Sequence, residues 1–263
     1  MMNRYVLSVA SLALLATSCV PTVIHRLRHH YFHKTEQPHA AEWGYEGAGA
    51  PEHWGDLSPD YHLAKDGREQ SPIDVHATAK AALPALEFDY RPAPIRMVYN
   101  GHSVQENEDG DSHLTVAGKR YKLEQFHFHS PSEHTVDGKS FAMELHFVHE
   151  GEDGEVAVVS VLIDEGAHNA AFDAMWADLP DRDDPKENSS KRIGVAELLP
   201  KDRRYYAYSG SFTTPPCTEG VRWFVMQQPV QLSNAQIATF RKVIYHNNRP
   251  VQPLNGRAVT VSR

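Results

Sequence analysis

The sequence predicts a mainly β protein of the α+β class: one domain in which strands dominate and short helices lie at the periphery. Three observations carry this expectation. Alternating or continuous apolar runs recur between Gly, Pro and Asp turns. Only two stretches space their apolar residues as a helix does. The composition, 41% hydrophobic and 23% charged over 263 residues, is that of a globular chain and not of a disordered or fibrous one.

Taken in order, residues 1–18 read as an export signal. Arg4 supplies the basic flank, and residues 6–16 are a short apolar stretch. That stretch falls short of the about 20 apolar residues needed to span a bilayer. Leu15-Ala16-Thr17-Ser18-Cys19 resembles a bacterial lipoprotein site with Cys19 as the acylated first mature residue, although Ala16 stands where such sites prefer Leu. Simple cleavage is the alternative. Either reading implies an exported bacterial protein, periplasmic or on the outer cell surface, with membrane attachment only through a lipid on Cys19. Residues 19–41 are a polar linker holding His25, His29, His30, His33 and His39, a composition able to collect metal loosely. Residues 42–263 form the folded domain.

Within that domain, residues 96–105, 121–129, 141–149, 156–163 and 221–227 carry strand patterning. Residues 168–179 place Phe172, Met175, Trp176 and Leu179 at helical spacing. Residues 233–246 open on a capping serine and carry Ile237, Phe240 and Ile244 on one side. Residues 181–191 are charged and irregular, a surface loop.

A formal net charge of −8 argues against nucleic acid or anionic membrane as partner. Two cysteines cannot build a disulfide scaffold or a Cys-rich zinc module, whereas 17 histidines point to metal or proton-transfer chemistry. The informative histidines lie on two strands. Gln125, His127 and His129 share a face, with Phe126 and Phe128 opposite. On the next strand Glu144, His146 and Val148 share a face, with Leu145 and Phe147 opposite. Three histidines with an open fourth position suit a catalytic zinc, since a structural site would be closed by a further protein ligand. Gln125 and Glu144 are placed to hold the far ring nitrogens.

Gln125-Phe126-His127-Phe128-His129, Ser132-Glu133-His134 and Glu144-Leu145-His146 resemble the metal-binding core of the α-class carbonic anhydrases. The resemblance extends over residues 43–260 through Trp43-Gly44-Tyr45, Pro51-Glu52-His53-Trp54, Gln70-Ser71-Pro72-Ile73-Asp74, Asn100-Gly101-His102, Gly210-Ser211-Phe212-Thr213-Thr214-Pro215-Pro216 and Arg249-Pro250. It implies a large, mostly antiparallel, twisted central sheet of about ten strands. It also implies one Zn²⁺ per chain on His127, His129 and His146, and reversible hydration of CO₂ to bicarbonate and a proton. Such an enzyme is a carbonate dehydratase, a lyase with weak esterase activity on the side.

Position by position, Thr213 and Glu133 match the pair that orients the zinc-held hydroxide, and His102 matches the proton shuttle. Tyr45, Asn100 and Gln105 match polar positions that order connecting waters. Asn247 matches the residue whose carbonyl steadies a zinc ligand. Val148, Val158, Phe212, Thr214 and Trp223 match the substrate pocket, with Phe212 bulkier than the aliphatic residue usual there. The resemblance leaves monomer and homodimer both open. Exported members pair the cysteine after Thr-Thr-Pro-Pro with one upstream of the Gln-Ser-Pro block. Here Ala64 stands in the upstream segment where no cysteine occurs, which leaves Cys217 free or paired between chains; a free thiol is expected, without the about 2–4 kcal/mol such a bridge supplies.

Two rival readings use the same residues. His127-x-His129-x₃-Glu133 with Gly138 superficially matches a cupin motif, which would make Glu133 a ligand of a redox metal. A non-catalytic zinc-holding surface protein on the same scaffold is the other.

Overall fold

The computed structural model describes residues 41–108, 110–180 and 191–262. The signal, Cys19, the linker to residue 40 and the charged loop at 181–190 lie outside the described residues.

Twelve strands join one mixed, twisted sheet. Its path from edge to edge is Ala79–Ala81, Thr260–Ser262, Tyr205–Ser211, Glu219–Met226, Val156–Glu165, Met143–Gly151, Lys119–His129, Val104–Asn107 and Met97–Tyr99. Val230–Leu232 pairs with Val156–Glu165, and Leu86–Asp89 joins through His113–Val116. Most pairings are antiparallel. Val156–Glu165 instead runs parallel to both Glu219–Met226 and Val230–Leu232, as Thr260–Ser262 does to Ala79–Ala81. The strand Val156–Glu165 is an almost unbroken apolar run because both of its faces are covered.

The sheet separates two environments. Phe126, Phe128, Leu145, Phe147, Val159, Val161, Phe224 and Met226 point to the main hydrophobic core, where Ile237 and Phe240 of the helix Asn234–Val243 close over them. Each such side chain contributes about 1.5–3 kcal/mol by leaving water. The alternate residues, among them His127, His129, His146, Val148, Val158 and Trp223, occupy the opposite face. A bulge opposite Val148/His149 carries the register from Gln125 to Leu123. The extra residue, Glu124, lets Tyr121 and Leu123 stay in the core while Gln125 turns toward the histidines.

Three expected elements differ in extent. Residues 96–105 are a hairpin, not one strand. Asn100 Oδ1 accepts from the backbone N–H of His102 at 2.9 Å and of Ser103 at 2.8 Å, and Gly101 takes φ +93°, so the chain reverses between Met97–Tyr99 and Val104–Asn107. Residues 168–179 shrink to a 3₁₀ turn at Ala170–Phe172 and one α-turn at Asp173–Trp176. The second helix stops at Val243. Ile244 is extended and His246 takes φ +61°, because its N–H donates to Ser130 O and swings Asn247 in beside His129. Tertiary hydrogen bonding overrides helical spacing there. The strand Tyr205–Ser211 has no counterpart in the apolar patterning. Its Tyr and Ser residues pair with Glu219–Met226 and read as polar in sequence.

Candidate metal centre

Adjacent strands carry the three histidines in register. His127 lies opposite His146, with ring centroids 5.2 Å apart, and His129 follows two residues on, 5.0 Å from His127 and 4.6 Å from His146. One nitrogen from each ring falls within 4.8 Å of the others. The second nitrogen of each is engaged by an acceptor. His127 Nδ1 donates to Gln125 Oε1 at 2.7 Å, His129 Nδ1 to Asn247 O at 2.6 Å, and His146 Nε2 to Glu144 Oε1 at 2.8 Å. These bonds leave lone pairs on His127 Nε2, His129 Nε2 and His146 Nδ1, all turned inward.

Burial keeps the rings neutral. It pulls His127 well below the ordinary histidine value, with the neighbouring His129 and His146 adding to the effect. It holds His129 at about 4 and lowers His146 as well. Buried neutral imidazoles are what a cation site needs, and the inward Nε2 of His129 is buried without any hydrogen-bond partner among the described residues. The donor set therefore fits a tetrahedral zinc with one open position.

Glu144 is fully buried, which alone would raise its carboxyl pKa. Hydrogen bonds and charge from His134 and His146 reverse this and hold it well below the carboxylate range. Glu133 lies on the loop between the two histidine strands. Burial pushes its carboxyl up to about 7 against the opposing pull of His146, of the Arg249 N–H at 2.8 Å and of the Thr213 hydroxyl. Its other oxygen, Oε2, is 3.5 Å from His129 Nε2 and 4.0 Å from His146 Nδ1. Oε1 accepts the Arg249 N–H, Oε2 is buried without a hydrogen-bond partner among the described residues, and the cluster of inward nitrogens does not include Glu133.

Val148, Val158 and Trp223 lie in one row across three strands, buried at 3%, 1% and 2% exposure. They form an apolar wall next to the His127–His146 row. Phe212 and Thr214 are half-buried on the segment after Tyr205–Ser211, on either side of the buried Thr213. His102 is half-buried and stacks on Trp43, with centroids 3.6 Å apart and planes 10° off parallel. Asn100 Nδ2 donates to Gln105 Oε1 at 3.3 Å and Gln105 Nε2 to Asn107 Oδ1 at 2.6 Å, a polar row beside His127 on the neighbouring strand. The Tyr45 hydroxyl is buried without a partner among the described residues, and burial raises its pKa well above the ordinary tyrosine value.

Sequence reasoning missed Trp43 as the platform under His102, Ser160 as a donor to Glu144, and Arg249 as a clamp. Arg249 donates to Gln70 Oε1, Ser71 O and Ala64 O, while Gln70 donates to Cys217 O. These bonds tie together the Ala64 and Cys217 segments that a disulfide would have joined. Cys217 is a buried free thiol, pushed up to about 12 by that burial.

The profile of the eukaryotic-type carbonic anhydrases matches residues 49–263. The carbonic anhydrase of Klebsiella pneumoniae is 42% identical over 256 residues, covering 96% of this chain and 98% of its own. Among solved structures, the α-carbonic anhydrase of Thermovibrio ammonificans in complex with sulfanilamide superposes with a TM-score of 0.79 at 46% identity, over 84% of this chain and 100% of its own. The Photobacterium profundum α-carbonic anhydrase gives a TM-score of 0.79 at 44% identity, over 83% and 100%.

Proposed function

This chain belongs to the α-carbonic anhydrase family and is a carbonate dehydratase, a lyase; from that premise we propose that it interconverts CO₂ and bicarbonate with one zinc ion held by His127, His129 and His146. The observation that carries the reading is the set of three neutral rings with converging lone pairs, each fixed from behind by an acceptor. Zinc held there supplies Lewis-acid activation of water.

The remaining roles belong to the chain itself. The Thr213 hydroxyl interacts with the Glu133 carboxyl, and turned to donate there it leaves its oxygen to accept. It selects a ligand that carries a proton and turns that ligand's lone pair toward the pocket. Val148, Val158 and Trp223, with Phe212 and Thr214 at the rim, offer an uncharged apolar gas a largely apolar surface. His102, half-buried against Trp43, accepts the released proton and passes it to buffer through its imidazole. Asn100, Gln105 and Tyr45 order the water between.

We place the enzyme outside the cytoplasm. Residues 1–18 act as the signal, residues 19–41 as the linker and residues 42–263 as the catalytic domain, with Cys19 available for a lipid. The cupin-like reading loses support because the ligand atoms that cluster with the inward nitrogens of His127, His129 and His146 do not include Glu133. The non-catalytic reading loses support because the Thr213–Glu133 pair accompanies the complete ligand set.

Stopped-flow CO₂ hydration tests the proposal. The purified protein should carry one zinc per chain, a zinc chelator should abolish turnover, and His127→Ala should fall to the uncatalysed rate. Wild-type turnover in that variant would overturn the assignment.

A further inference from the structure

Glu144 accepts five hydrogen bonds. One oxygen takes the backbone N–H of Glu133 and of His134, each at 2.8 Å. The other takes His146 Nε2 at 2.8 Å, His134 Nδ1 at 2.6 Å and the Ser160 hydroxyl at 2.5 Å. The bonding then continues away from the histidines. His134 Nε2 lies 2.6 Å from the Tyr208 hydroxyl, which lies 2.9 Å from Ser71 Oγ. Ser211 N–H donates to Ser71 Oγ at 3.1 Å, Ser71 N–H donates to Ser211 Oγ at 2.9 Å, and the Ser211 hydroxyl donates to Phe212 O at 2.7 Å. His134, Tyr208, Ser71 and Ser211 are all buried.

The direction of every bond in this chain follows from its two ends. Glu144 already accepts two backbone N–H groups and the Ser160 hydroxyl, which makes it the acceptor of the cluster, so His134 Nδ1 donates to it. The Ser71 oxygen already accepts from Ser211 N–H, and the neighbour within reach for its proton is Tyr208. Ser71 therefore donates to Tyr208, and Tyr208 donates to His134 Nε2. Reversed, the chain would leave a buried serine proton without an acceptor. Each inward donation strengthens the next.

We propose that Tyr208, with Ser71 behind it, is a positioning residue of the zinc site. It locks His134 as an Nδ1 donor, so that Glu144 is held in one orientation against His146. It also ties that ligand to the Ser211–Phe212 backbone leading into Thr213. Without the Tyr208 proton, His134 is free to move its hydrogen to Nε2. It would then present a lone pair to the Glu144 carboxylate, and the brace behind His146 would loosen. The inference rests on the zinc assignment above and extends it to residues that touch neither metal nor substrate.

A matched control exists on the other face of the sheet. The Tyr90 hydroxyl lies 2.6 Å from His149 Nε2, also fully buried, but in the hydrophobic core. Full-length zinc-loaded Tyr208→Phe, Ser71→Ala and Tyr90→Phe are compared for zinc release to an excess chromophoric chelator and, after cobalt substitution, for the visible cobalt spectrum. Tyr208→Phe should release zinc about tenfold faster, the low end of what outer partners of metal ligands contribute, with an altered cobalt spectrum. Ser71→Ala should shift both readouts in the same direction by less, and it serves alone if Tyr208→Phe does not fold. Tyr90→Phe should match the wild type. Release within twofold of wild type in both site variants, or equal acceleration by Tyr90→Phe, overturns this inference alone. Wild-type protein that binds no zinc overturns the metal assignment and this inference with it.

Discussion

At His102 the structure joins a titratable ring to a fixed platform. The Trp43 indole lies parallel to the imidazole at 3.6 Å, and Asn100 pins the His102 backbone through its N–H. Stacking against a rigid indole narrows the positions from which the ring exchanges a proton with solvent. His102→Ala should therefore leave zinc content unchanged while slowing CO₂ hydration in weak buffer by roughly tenfold or more. Added imidazole should restore the rate. Stopped-flow traces that do not depend on buffer concentration in the variant would refute the shuttle role. The same scale explains why the Cys217 thiol stays protonated: burial, with the charge of Glu133 adding to it, outweighs the opposing pull of Arg249. The free thiol expected from the missing partner at Ala64 is present, and Arg249 and Gln70 bridge the gap with hydrogen bonds.

Among the elements, the strand Lys119–His129 does the sorting. Simple alternation along residues 121–129 puts Tyr121, Leu123, Gln125 and His127 on one face, whereas the bulge at Glu124 divides them between core and site. Alternation from Gln125 onward was legible because H-x-H on a strand has one geometry. The bulge was not, since it answers to the neighbouring strand. The helix Asn234–Val243 shows the converse. Its cap was marked by Ser233, and the structure extends it to a capping box: Gln236 N–H donates to Ser233 Oγ at 3.3 Å, and Ser233 N–H donates to Gln236 Oε1 at 3.1 Å. Gln236 also holds Asn169 and Asp173, which clamps the short turns before it. Ser233→Ala should cost about 1 kcal/mol of unfolding free energy. An unchanged urea midpoint would show that the Gln236 contacts alone carry the helix start.

For the whole molecule, acid stability follows from a residue far from the chemistry. His149 is buried in the core, with Nε2 bonded to Tyr90 and Nδ1 to Ala157 O, and burial holds its pKa at about 3 against 6.5 in the unfolded chain. The unfolded state takes up the proton first. The neutral ring therefore contributes fully above pH 6.5, and its contribution is lost as pH falls toward 3. At pH 4.5 the loss is about 2–3 kcal/mol. Urea unfolding at pH 7 and pH 4.5 should show a steeper fall for wild type than for His149→Gln, which keeps a donor and an acceptor but does not titrate. Equal slopes would exclude His149 as the source.

The residue pattern alone determined which strands carry the ligands, which neighbours hold their far nitrogens and where the second helix begins. Those are short-range relations, set by a side-chain period of two or by a cap within one turn. Only the tertiary structure decided the rest. His129 is oriented by a carbonyl at Asn247, 118 residues away, a partner that the family resemblance named but no local pattern could, and Glu144 by His134, Tyr208 and Ser71 from three separate segments. The polar strand Tyr205–Ser211, the hairpin within residues 96–105 and the early end at Val243 likewise follow from partners distant in sequence. Hydrogen bonds between remote segments leave no periodic trace, because each partner looks polar and ordinary until folding sets them side by side.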